Sequence, residues 1–196
     1  DVHGAELWRT DGTTSGTWMV VDAVPGPEGT NDPPIVFDEH VYWPVGTETA
    51  TGELWVTDGT EAGSGPLPSV QAFSHASNLY VFDNLLLFSA HHSGGGGIEL
   101  FRTDGTELGT HLLHQSASGF QNGSPSNFAR AGDQVYFSAE LELLGTELFK
   151  TDGTSDGSGL VIALGPGTTF GAGSDPVPMG AVGDQMLFSA TTTTYG

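Results

Sequence analysis

A chain of 196 residues that is 37% hydrophobic and 10% aromatic can fill a core, and the absence of cysteine leaves its redox compartment open. The 24 acidic residues against four Lys and Arg give a formal charge of −20, which excludes nucleic acid as a natural partner, since phosphate binding needs clustered cations. Anionic membrane surfaces are disfavoured for the same reason, and no stretch approaches the roughly 18 to 20 apolar residues of a membrane-spanning helix.

The first patterned segment is Glu6-Leu7-Trp8-Arg9-Thr10-Asp11-Gly12-Thr13. Its first half reads as a strand, Asp-Gly-Thr as a turn, and Thr17-Trp18-Met19-Val20-Val21 as the next strand. Ile35-Val36-Phe37 and Val41-Tyr42-Trp43 then flank Asp38-Glu39, two apolar runs around a two-residue turn, and so a β-hairpin. The opening motif returns at Glu53-Leu54-Trp55-Val56-Thr57-Asp58-Gly59-Thr60. A hairpin around Asp83-Asn84 precedes Glu99-Leu100-Phe101-Arg102-Thr103-Asp104-Gly105-Thr106. Another, around Gly132-Asp133, precedes Glu147-Leu148-Phe149-Lys150-Thr151-Asp152-Gly153-Thr154. A last hairpin around Gly183-Asp184 leads into Met186-Leu187-Phe188-Ser189-Ala190.

The unit therefore repeats with a period of about 47 residues and holds about four short strands, with no window of helical periodicity. Repeats of that length and strand count predict an all-β fold, a β-propeller of four four-stranded blades. The expected units are 31–76, 77–122 and 123–171, with 1–30 and 172–196 as two halves of a fourth. Pairing of those halves would close a four-bladed ring without a free sheet edge. A segment of a longer array, or two chains forming an eight-bladed ring, fits the same phase.

Asp11, Asp58, Asp104 and Asp152 are the candidate metal ligands, with Ca²⁺ as the cation that carboxylates favour. The competing and leading reading is structural: Asp caps the turn, Gly supplies positive φ, and Thr continues the chain. Glu6, Glu53, Glu99 and Glu147 open the third strand of each unit, while Arg9, Arg102 and Lys150 share one slot that Val56 fills in the second copy. A repeated inter-blade ion-pair or hydrogen-bond network is the expected use of these residues. The recurring aromatics read as blade core, and Trp18, which has no aromatic counterpart, is the candidate for stacking a ligand. His91-His92 ahead of Gly94-Gly95-Gly96-Gly97 reads as a solvated loop, with Zn²⁺ or Cu²⁺ capture as the alternative. No nucleophile–base motif is present, so a non-enzymatic protein is expected, although plentiful carboxylates leave a glycosidase-type dyad open.

The pattern Glu-Leu-Trp-x-Thr-Asp-Gly-Thr-x-x-Gly-Thr, clear at Glu6 to Thr17 and at Glu99 to Thr110, resembles the ELWxxDGT-type, or hyalin-like, repeats of large secreted bacterial proteins. The second and fourth copies depart from it with Ser64 and Ser158 at the last Thr position. The resemblance implies a propeller-like fold and a secreted or cell-surface location, and it brings no catalytic residues. The expected function is an extracellular structural or adhesive repeat protein that assembles with copies of itself into filaments or surface layers, or binds other extracellular proteins. The alternatives are a lectin-like glycan binder with one weak site per blade and, third, a propeller hydrolase or lyase.

Overall fold

Two-residue turns set the register of the sheets. Phe37 pairs with His40, Phe82 with Leu85, Ala131 with Gln134 and Val182 with Gln185, so each expected hairpin is present at the expected turn. Asp38 and Glu39 both take positive φ, 46° and 61°, which matches the twist of the strands they join. The computed structural model describes residues 3–25, 33–46, 52–94, 97–116, 122–142, 144–165 and 173–192. Among them all regular structure is β.

A two-stranded sheet comes first, β1 (Trp8–Arg9) with β2 (Trp18–Met19). The first complete sheet is β3 (Ile35–Phe37), β4 (His40–Val45), β5 (Glu53–Thr57) and β6 (Gly65–Pro66). The second is β7 (Phe73–Phe82), β8 (Leu85–His92), β9 (Ile98–Thr103) and β10 (His111–His114). The third is β11 (Ser126–Ala131), β12 (Gln134–Leu141), β13 (Gly145–Thr151) and β14 (Gly159–Ile162), followed by the pair β15 (Val177–Val182) and β16 (Gln185–Ser189). Within each sheet every strand pairs antiparallel with its neighbours in sequence. Strand β7 crosses the expected unit border between 76 and 77. Positive φ at His75 and Asn78 and two register shifts let it run on through two irregularities.

The sheets pack face to face in chain order. One core joins the first and second sheets through Phe37, Leu54, Phe88 and Phe101. A second joins the second and third sheets through Leu87, Leu100, Phe137 and Phe149. Strand β8, in the middle of the second sheet, is thus covered on both faces, which explains why it reads as the unbroken run Leu-Leu-Leu-Phe-Ser-Ala, all buried, instead of alternating. Strand β15 packs on β11 and carries the order one step further.

The expected union of the two half-units into a fourth sheet is not present. Among the described residues strand β1 pairs only with β2, and β15 only with β16. Arg9 of β1 contacts the first complete sheet, at the Gly59 carbonyl, and β15 lies against the third.

Candidate functional site

The four Asp-Gly-Thr turns are built alike. Asp104 Oδ1 accepts from the Thr106 amide at 3.0 Å and from the Thr106 hydroxyl at 2.7 Å, and that hydroxyl accepts from the Gly109 amide at 3.0 Å. The Thr103 and Thr110 hydroxyls meet at 2.7 Å, and Thr110 Oγ1 donates to the Thr106 carbonyl at 2.6 Å. Asp11, Asp58 and Asp152 repeat the first set. Ser64 and Ser158 repeat the second with a serine hydroxyl, which is why serine replaces threonine there without changing the turn. The glycine after each Asp has φ of 86° to 90°, a conformation costly for any other residue.

The second glycine of the motif has a different cause. A Cβ on Gly16, Gly63, Gly109 or Gly157 would lie 2.0, 2.2, 1.9 or 2.1 Å from Oδ1 of the Asp five residues earlier. The carboxylate occupies the place of the missing side chain.

The Glu residues bind backbone. Glu147, fully buried, accepts from the Leu164 amide at 3.0 Å, the Gly165 amide at 3.1 Å and the Ser174 hydroxyl at 2.5 Å. Glu99, also fully buried, accepts from the amide and hydroxyl of Ser116. Glu6 holds the Ala23 and Val24 amides. Glu53 is exposed and takes the Trp55 indole N–H instead. The cation slot reaches one unit forward. Arg9 donates to the Gly59 carbonyl at 2.9 Å and Arg102 to the Gly153 carbonyl at 2.7 Å. Lys150 is exposed, and at the apolar Val56 the next glycine, Gly105, lies by the Tyr42 hydroxyl. Among the described residues the ion pairs are His3–Asp22 and Arg130–Asp83, so the Glu and Arg slots do not meet each other.

Trp18 is half exposed, with the Arg9 guanidinium 4.5 Å above its ring. One inter-unit contact escapes sequence reasoning altogether. The Ser89 and Ser138 hydroxyls, in the Phe-Ser-Ala run, donate to the carbonyls of Pro125 and Pro176 in the following unit. The serine recurs in the sequence, but its acceptor is a carbonyl, which every residue has. His75 and His91 approach at 6.5 Å between ring centres, and among the described residues no group of three or more His, Asp or Glu gathers as a metal would require. Gly95 and Gly96 of the glycine tract lie outside the described residues.

Two sets of groups make stability depend on pH. Burial against Phe149, at 5.8 Å between rings, holds the His114 pKa below its ordinary value. The unfolded chain then binds the proton more readily than the folded one. The contribution of neutral His114 is complete above about pH 6.5 and declines as pH falls through the lower folded value. Hydrogen bonds from Thr106 and Thr154 hold the Asp104 and Asp152 carboxyls below theirs, so that contribution is present above about pH 4 and is lost at still lower pH. The melting temperature is expected to fall in two stages on acidification. His114→Phe should remove the upper stage and leave the lower; an unchanged upper stage in that variant would refute the assignment to His114.

The fold is similar to that of TolB from Acinetobacter baumannii, a β-propeller protein, with a TM-score of 0.50 at 12% sequence identity. The similarity covers 95% of this chain and 45% of the TolB chain, so the chain spans less than half of that protein's length. No family model matches the sequence, and no curated protein does. The fold is all-β and propeller-like, built of four-stranded antiparallel sheets.

Proposed function

We propose that the chain is an extracellular structural or adhesive module that assembles with copies of itself. The observation that carries this reading is the apolar surface of the two half-sheets. Trp8 is 59% exposed, Leu187 53% and Met179 73%, whereas Phe101 and Phe149, at the position of Trp8, are buried. Exposed apolar side chains along open strand edges invite a further strand. The polar repeat residues support the same reading from the other side. The Asp, Glu, Thr and Arg of the motif bind backbone of their own or the next unit, which is the work of a scaffold. The motif's resemblance to repeats of secreted bacterial proteins supports the extracellular location. Light scattering across a concentration series, with electron microscopy of the same samples, tests the assembly. Species that grow beyond the 20.3 kDa of one chain are expected. A single-chain mass at every concentration would overturn the reading.

A further inference from the structure

The chain holds five Asp-Gly pairs and one Asn-Gly pair, Asn122-Gly123. An Asn or Asp ahead of glycine is chemically labile, because no side chain keeps the glycine nitrogen away from the preceding side-chain carbonyl carbon. In all five Asp-Gly pairs that nitrogen is held. The amides of Gly12, Gly59, Gly105, Gly153 and Gly157 each donate to a threonine hydroxyl at 2.9 to 3.1 Å. The four motif carboxyls are also kept ionised by their threonine partners, and a carboxylate is a poorer electrophile than a carboxamide. Asn122 differs on each count. It is exposed, and the Gly123 amide donates to none of the described residues. The Ile98 amide donates to Asn122 Oδ1 at 3.0 Å, the atom on which negative charge gathers when Cγ is attacked.

We infer that Asn122 is a site of spontaneous modification in the folded protein, converting to aspartate and isoaspartate while the five Asp-Gly pairs stay intact. The Gly123 nitrogen bonds to Asn122 Cγ and gives up its proton; the Cγ–Nδ2 bond breaks and ammonia leaves, closing a succinimide ring. Water then opens the ring. Attack at Cγ gives aspartate, and attack at the main-chain carbonyl gives isoaspartate, with no oxidant or reductant required. Either product adds one negative charge, and isoaspartate also lengthens the main chain by a methylene. That insertion falls where there is no room for it. A Cβ on buried Gly123 would already lie 2.1 Å from Ser116 Oγ and 2.6 Å from Glu99 Oε2. The same segment joins two sheets: the Gly123 carbonyl accepts from the Glu140 amide of β12 at 2.6 Å, and the Ser124 amide donates to the Ile98 carbonyl of β9 at 2.8 Å. Isoaspartate at 122 therefore loosens the junction between the second and third complete sheets.

The test is to age the folded protein in heavy-oxygen water at near-neutral pH, digest it afterwards in ordinary water, and locate the label by mass spectrometry. Label is expected at Asn122 and absent from the five Asp-Gly pairs; in urea, which frees the glycine amides, it should appear at those pairs as well. Asn122→Gln should abolish label at 122, since its longer side chain cannot close the five-membered ring. The isoaspartate fraction, separated by anion exchange, should melt about 2–4 °C lower in a chain of this size. Asn122→Asp has the charge without the methylene and keeps an acceptor for Ile98, so it should melt as the wild type does. Label at 122 in urea but not in the folded protein would overturn the inference, and so would equal label at the Asp-Gly pairs of the folded protein. An isoaspartate fraction that melts no lower than Asn122→Asp would overturn the loosening of the junction.

Discussion

Replacing Glu147 by alanine is expected to destabilise the protein by about 3–5 kcal/mol, because the fully buried carboxylate is the acceptor for three donors. Two of these are backbone amides at the end of the third complete sheet. The other is the hydroxyl of Ser174, which leads into β15, so one side chain holds both ends of the connection between them. A buried donor left without an acceptor keeps its full desolvation cost, and water has no easy access there. For a chain of this size the melting temperature should drop by roughly 10 °C. Glu147→Gln keeps one acceptor oxygen but turns an amide N–H₂ toward N–H groups, and it should fall between wild type and alanine. Glu53→Ala is the internal comparison, because the same motif position is exposed there, and a loss below about 0.5 kcal/mol is expected. Urea unfolding of the three variants measures this directly. If Glu147→Ala and Glu53→Ala lose the same amount, the buried carboxylate is not the anchor described here.

Gly109→Ala is the second large effect, at about 2–4 kcal/mol, and its signature is non-additivity. The added methyl would sit 1.9 Å from Asp104 Oδ1, so either the turn opens or the carboxylate leaves Thr106. Asp104→Ala alone loses the turn's acceptor, a cost of about 1 kcal/mol. In the double variant the alanine at 109 has no carboxylate to displace, so the two costs should not add. A coupling of about 1–3 kcal/mol in the double-mutant cycle is expected. Additive losses would mean that Gly109 is required for some reason other than the Asp104 side chain. The same cycle at Asp58 and Gly63 should give the same sign, since the distance there is 2.2 Å.

The strands most legible in the sequence are those whose residues repeat, β4, β8, β12 and β16 on one side of the strand pairing and β1, β5, β9 and β13 on the other. Their aromatics mark the faces that pack, and two-residue turns such as Asp83-Asn84 fix the hairpins before them. The partners of the polar residues were hidden for a physical reason. Glu99 and Glu147 bind amides, Arg9 and Arg102 bind carbonyls, and Ser89 and Ser138 do the same. Backbone groups are present at every residue, so they leave no mark of their own on a sequence. The role of Gly109 was hidden in another way. The residue is visible in the motif, but its cause is a side chain folded back over five residues, which only the turn's three-dimensional path brings near. The exposure of Trp8 also departs from the core role of its counterparts, because β1 has no second strand beside it to bury the ring.

The pairing of each strand with its sequence neighbours alone also bears on how the molecule is made. Four copies of nearly the same Glu-Leu-Trp strand in one chain are interchangeable partners, and an unfolded chain released all at once would have many wrong pairings to try. A growing chain meets them one at a time. At roughly 5–20 residues per second a unit of about 47 residues takes some 2–10 s to emerge, whereas a hairpin forms within about 10 μs. Each complete sheet can therefore close before the next copy exists to compete with it. Refolding of the finished chain from denaturant lacks that ordering, so synthesis itself supplies the direction in which nearly identical strands find their proper neighbours.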